Sequence, residues 1–269
     1  MNNQITPPPV SMVMPSSANV TIAIANYTVL LLVALFMLSE ARRTRSALPI
    51  FCFLGGCTAS LMEPIFDNVG LVWYPQYGAD HLFRFFNVSV PLWLLPAYGW
   101  FITGQGYFIY RKMQSGLTAN TLWMFYGLFW LADLLLEVPG LTMHIYAYYG
   151  PQPFKILGFP LWMAATNALM PLVLGAALIS FQDTLKGWRV WIAAPLVPAV
   201  IGFCQIAAGW PTWLALNSGH GIVLTSAASI VTFGLSVLFA YLVAEKFCVP
   251  AKVTAALPAA RLGVTAGGD

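Results

Sequence analysis

Residues 220–244 read HGIVLTSAASIVTFGLSVLFAYLVA, a stretch without a single Asp, Glu, Lys or Arg. A bilayer core about 30 Å thick takes about 20 mostly apolar residues per crossing helix, so this stretch predicts a membrane-spanning helix. Six further long, mostly apolar runs lie at 20–40, 48–70, 89–110, 119–141, 156–180 and 188–208. Of 269 residues, 59% are hydrophobic and 8% charged, far below the roughly 25% charged residues of an ordinary soluble domain. The expected fold is an all-α integral membrane bundle of seven transmembrane helices. Its parts are an extramembrane tail at 1–19, a transmembrane domain at 20–244 and a flexible cytoplasmic tail at 245–269, with no room for a separate soluble domain.

Basic residues set the expected orientation. Arg42, Arg43 and Arg45 follow the first run, Arg111 and Lys112 the third, Lys186 and Arg189 the fifth, and Lys246, Lys252 and Arg261 the seventh. Only Arg84 and Lys155 fall on the other face, so the positive-inside rule places the N-terminus outside and the C-terminus in the cytoplasm. The formal charge of +3 is spread singly beside apolar runs, which predicts no nucleic-acid partner. The first twenty residues hold no Lys or Arg ahead of an apolar core, so no cleaved signal peptide is expected. Cys52, Cys57, Cys204 and Cys248 lie in or beside apolar runs without metal-type pairing and read as small hydrophobes. The seventh run contains no Lys that could form a retinal Schiff base.

Two stretches resemble each other. MEPIFDNVGLVWYPQYG leads to PLWLLPAYG, and LEVPGLTMHIYAYYGPQP leads to PLWMAATNA. Glu63 matches Glu137 and Tyr74 matches Tyr148 at one offset, and Pro91-Leu92-Trp93 matches Pro160-Leu161-Trp162. The repeated unit is a helical hairpin, spans 2–3 and spans 4–5, related by rotation about an axis near the membrane normal. The competing account is that aromatic-rich interfacial loops look alike by chance, because Trp and Tyr gather at bilayer interfaces.

Ionisable groups at membrane depth cost at least about 2.5 kcal/mol each and usually mark function. Glu63 and Asp67, and likewise Asp133 and Glu137, are spaced four apart, so each pair shares a helix face. These four are the candidate catalytic residues. In an apolar pocket a neutral carboxylic acid is a proton donor, while an ionised partner steadies positive charge or takes a proton back. Alternatively they pair with His81, His144, Arg84, Lys155 or nearby indoles and phenols and merely hold helices together. Trp73, Tyr74, Trp93, Tyr98, Tyr148 and Trp162, together with His144 and Asn167, are the candidate substrate-binding residues. Tyr146 and the other outer-loop aromatics read as an interfacial belt, whose ring faces also attract cations. Asn167 reads equally as helix-joining amide. Three His residues and no HExxH pattern predict neither metal nor other cofactor.

In length, span count and acid placement the chain resembles the small seven-helix membrane-bound terpene cyclases, which lack an aspartate-rich metal motif. The resemblance implies that Glu63, in TASLMEPIF, is the membrane-embedded acid that protonates an epoxide or alkene. That family's other acid lies in its last span; here Asp133 or Glu137 takes its place. YYGPQPF at 148–154 resembles the loops of membrane carotenoid cyclases and hydratases. Both resemblances imply an acid-catalysed cyclase or isomerase of isoprenoid metabolism, acting on a lipid-soluble substrate drawn from the bilayer, with protein partners left unknown. In this expectation Glu63 is the favoured acid, Glu137 and Asp133 the paired acid or base, and Asp67 tunes Glu63. Two rivals use the same residues. One is a transporter or channel relaying protons through the carboxylates. The other is a non-catalytic sensor or assembly subunit that binds a partner through its aromatic loops.

Overall fold

The computed structural model describes residues 6–250; the expected tail beyond residue 250 lies outside the described residues. The chain is mostly helical. Helix α1 spans Ser16–Thr44, and α2, Leu48–Ala59, continues through a 3-10 turn at Ser60–Met62 into α3, Glu63–Gly70. Three short strands follow: β1 at Val72–Trp73, β2 at His81–Phe85 and β3 at Val88–Pro91. Helices α4, Leu94–Gln114, and α5, Ala119–Thr142, come next. Strands β4 at Ala147–Tyr148, β5 at Lys155–Ile156 and β6 at Phe159–Pro160 lead into α6, Leu161–Ser180. A 3-10 turn at Gly187–Ile192 opens α7, Ala193–Leu216, and α8 is Gly221–Phe247.

Among the described residues six helical segments are long and apolar enough to cross a membrane: Ser16–Thr44, Leu48–Gly70, Ala119–Thr142, Leu161–Ser180, Gly187–Leu216 and Gly221–Phe247. Helix α4 is not among them. It carries Tyr98, Gln105, Tyr107, Tyr110 and three glycines, and it ends on Arg111, Lys112 and Gln114, so its composition is too polar for its 21 residues. Its sides are covered instead by protein, chiefly α6 and α2, with α1 packed on it as well.

Two of the expected runs are not helical throughout. Within 89–110, residues up to Pro91 are strand and the helix begins at Leu94. Within 156–180, Ile156, Phe159 and Pro160 are strand and the helix begins at Leu161. Each helix is entered through a β-hairpin, β2–β3 or β5–β6, closed by two residues with positive φ: Phe86 and Asn87 in one, Leu157 and Gly158 in the other. That pair of left-handed residues is the type I′ turn, whose twist suits a tight hairpin.

Proline shapes the acid-bearing helices. Pro64 has no N–H to donate to the Ser60 carbonyl, and the chain passes through its 3-10 turn there before α3 starts at Glu63. Pro139 lies inside α5, two residues beyond Glu137. Strands β1 and β4 then pair antiparallel, Val72 with Tyr148 and Trp73 with Ala147, joining the segments that leave α3 and α5.

The centre of the bundle is the α4–α6 contact. A Cβ at Gly106 would meet the Leu174 side chain, and one at Gly175 would meet Ile109 and the backbone of Tyr110. Close approach over small residues supplies dispersion contacts where no hydrophobic drive exists between helices in lipid. At the basic end Glu40 of α1 accepts two 2.7 Å bonds from Arg43, and Arg111 of α4 lies 3.6 Å away. Helices α7 and α8 share a buried hydroxyl cluster, Thr212 with Ser229 at 3.1 Å and with Thr232 at 2.8 Å.

Candidate functional site

All four carboxyl groups line one cavity of about 100 Å³. Glu63 and Asp67 reach it from α3, Asp133 and Glu137 from α5. Tyr74, Tyr146 and Tyr148 enter from the β1–β4 segments, Tyr98 from α4, Asn167 from α6 and Gln205 from α7. Apolar walls are supplied by residues such as Phe66, Phe101, Ile102, Met163 and Met170. No Lys, Arg or His is among the described residues that line it. Glu40 and Asp183 form the only salt bridges among the described residues, so none of the four acids has a basic partner there.

Each glutamate is held by two phenols. The Tyr74 hydroxyl donates to Glu63 Oε1 at 2.8 Å, and the Tyr98 hydroxyl donates to Oε2. Tyr146 and Tyr148 both donate to Glu137 Oε2, at 2.7 and 3.2 Å. Tyr74 lies eleven residues beyond Glu63, and Tyr148 eleven beyond Glu137. The aspartates are held differently. Asn167 Nδ2 donates to both oxygens of Asp133, at 3.2 and 3.1 Å, and Gln205 Nε2 donates to Asn167 Oδ1 at 3.0 Å. Asp67 Oδ2 and Gln205 Oε1 are buried without a hydrogen-bond partner among the described residues. Buried acceptors left unmet cost about 1–3 kcal/mol each, so each of these two calls for an explanation.

The aromatic rings form a continuous wall. Tyr74 and Tyr146 lie 5.5 Å apart, and Trp93 packs behind both, at 5.8 and 6.4 Å. Gly140 leaves the space that the Tyr146 ring fills.

Of the expected substrate-binding residues, Tyr74, Tyr98, Tyr148 and Asn167 line the cavity. Trp73, Trp93, Trp162 and His144 do not. Trp73 is buried with β1, Trp93 supports the phenols from behind, and the Trp162 indole donates to Gln152, which in turn bonds the Gly70 carbonyl at 2.7 Å. His144 is exposed at the end of α5, in the left-handed conformation. Tyr146 lines the cavity as well, and so does Gln205, which is not among the expected site residues. The signal for Gln205 was present: an amide at mid-helix within an apolar run, which is costly unless it has a partner.

No family model, curated protein or solved structure matches the chain.

Proposed function

We propose that the protein is a membrane-embedded, metal-independent acid–base enzyme, a cyclase or isomerase that protonates an alkene or epoxide at one end of a lipid-borne isoprenoid. The observation that carries this reading is the convergence of four carboxyls and four phenols on one cavity without a basic side chain. Four carboxylates together in an apolar volume would be prohibitively costly, so the group holds protons to give.

Hydrogen bonding supports a division of roles in which Glu137 takes the place expected of Glu63 as the acid. Both oxygens of Glu63 accept phenols, which suits a fixed carboxylate base. Glu137 has both its phenols on Oε2, which leaves Oε1 to carry the proton into the cavity. The proton passes from Glu137 to an alkene carbon, where the π pair forms the new C–H bond, or to a lone pair of the epoxide oxygen, whose C–O bond then breaks towards oxygen. A cation forms on the substrate, and the faces of Tyr74 and Tyr146 stabilise it. Loss of a C–H proton to Glu63 restores a double bond, and return of that proton to Glu137 completes the cycle. Asp133 is held in the cavity wall by Asn167, and Asp67 lies one helical turn from Glu63 on the same wall.

A volume near 100 Å³ is smaller than the roughly 150 Å³ cavity that accepts a benzene ring. The site therefore receives the reactive end of the substrate while the chain lies along the protein in the bilayer. In this reading α4 is a seventh crossing shielded by its neighbours, the N-terminus faces outward and the C-terminus the cytoplasm. The spans 2–3 and 4–5 are pseudo-repeats, supported by the matching Glu–Tyr bonds, by the matching hairpins, and by β1–β4 pairing centred on Trp73 and Ala147.

Lipid mass spectrometry of cells expressing wild type, Glu63→Gln or Glu137→Gln tests the proposal. An isoprenoid product is expected only with wild type, with its precursor accumulating in well-inserted variants. No lipid difference in a host rich in prenyl precursors would sink it. The lack of any basic side chain among the acids also suits passage of protons or a cation; acid-dependent flux in proteoliposomes would put that reading first.

A further inference from the structure

We infer that the hairpins β2–β3 and β5–β6 are re-entrant elements that lie inside the apolar layer at the acid-bearing end of the bundle, with tips that bind the phospholipids of that leaflet. The inference rests on the reading of the chain as a membrane protein and is independent of the proposed chemistry.

Depth is the first argument. Helices α4 and α6 have 21 and 20 residues, against 29 for α1 and 27 for α8. Each short helix is continued at the acid-bearing end by a hairpin rather than by helix. The Tyr27 hydroxyl, eleven residues into α1, donates to the Leu92 carbonyl at the foot of β3. At 1.5 Å per residue that position lies about 16 Å along α1 from its start. The Phe154 ring, next to β5, lies 6.4 Å from Phe233, and Phe233 is 6.1 Å from Trp130. Phe233 and Trp130 each stand about 18 Å from the acid-side ends of α8 and α5. Both hairpin feet thus sit well below the helix ends.

Backbone chemistry is the second argument. In hydrocarbon every N–H and C=O needs a partner, so non-helical backbone at depth must pair with itself or with protein. Each hairpin pairs along its inner edge, His81 to Phe85 with Val88 to Pro91 and Lys155 and Ile156 with Phe159 and Pro160, and the Phe86 carbonyl at the first tip accepts from Asn68.

The tips supply the third. Type I′ turns ordinarily hold Asn, Asp and Gly, yet the exposed tips here are apolar: Phe85 and Phe86 at 55% and 58%, Ile156 and Leu157 at 45% and 69%. Large apolar side chains are exposed in the same way along α1 and α8, at Leu31, Leu32, Val231 and Val237. Beside each tip stands one exposed cation, Arg84 or Lys155, and neither forms an ion pair among the described residues. An apolar tip with one long cationic side chain fits acyl chains below and a lipid phosphate above.

Carbene footprinting of the wild-type protein in nanodiscs of phosphatidylcholine and phosphatidylglycerol tests this. One arm uses a lipid-soluble phenyl diazirine, the other a water-soluble diazirine carboxylate, and adducts are mapped by peptide mass spectrometry. Phe85, Phe86, Ile156 and Leu157 are expected to react from the lipid phase with the yield of Val237 in α8. If they react from water like the exposed Trp188 while α8 reacts from lipid, the hairpins are extramembrane loops and the inference fails with the membrane reading intact. If α1 and α8 also fail to react from lipid, both fall.

Discussion

Glu63 and Glu137 each accept from a tyrosine eleven residues further on, yet their carboxyls are bound unequally, and that inequality is testable side chain by side chain. General acid–base groups typically contribute about 100-fold to 10,000-fold. Glu137→Gln should therefore lower product formation by at least about 100-fold with no loss of insertion. Tyr98→Phe leaves Glu63 Oε2 without its phenol, and should lower turnover about tenfold while shifting melting by the equivalent of about 1–3 kcal/mol. If Tyr98→Phe leaves turnover unchanged, the phenol only fills space. The acids were legible in the sequence because a charge inside an apolar run has few innocent explanations. The surrounding aromatics were not. A Trp in a pocket, a Trp behind a pocket and a Trp at the lipid interface have the same local sequence, so Trp93 and Trp162 could not be told from Tyr74 and Tyr98.

Among the elements, helices were readable from apolar length, whereas the two hairpins were hidden inside it. Val88 to Pro91, with Ser89 as its one polar residue, and Phe159 to Pro160 sit within mostly apolar runs, and a run this short carries no period that separates strand from buried helix. The Pro that ends each hairpin, ahead of Leu-Trp, is the clue in hindsight, because a residue without N–H suits a strand end or a helix start. The α4–α6 crossing gives an element-level prediction. Gly175→Ala places a methyl against Ile109 and the α4 backbone, and should destabilise the detergent-solubilised protein by about 1–3 kcal/mol. Gly127→Ala in α5 meets nothing within 4 Å and should be neutral or stabilising by up to about 1 kcal/mol. Equal melting of the two variants would mean that α4 and α6 are not packed as described.

At the scale of the whole molecule, the distribution of charge decides which end faces which compartment, and the chemistry depends on it. Arg43, Arg111 and Lys186 lie at one end, with the Glu40 cluster, while the four acids, the hairpins and the β1–β4 pair gather towards the other. The positive-inside rule assigns the basic end to the cytoplasm, so Tyr77 should face outward and Trp188 inward. Both are well exposed, at 67% and 78%, and cysteine at either is open to a thiol reagent. In intact cells a membrane-impermeant maleimide should label Tyr77→Cys and leave Trp188→Cys unmodified until the membrane is permeabilised. The native cysteines provide little background, since Cys52 and Cys204 are buried and Cys57 and Cys248 half-buried. The reverse pattern would turn the bundle over and place the cavity towards the cytoplasmic leaflet. The substrate would then be drawn from the inner face, and the hairpin tips would meet inner-leaflet lipids. Labelling of both positions in intact cells would mean that the number of crossings between them is even, which would remove α4 or another helix from the set that spans the bilayer.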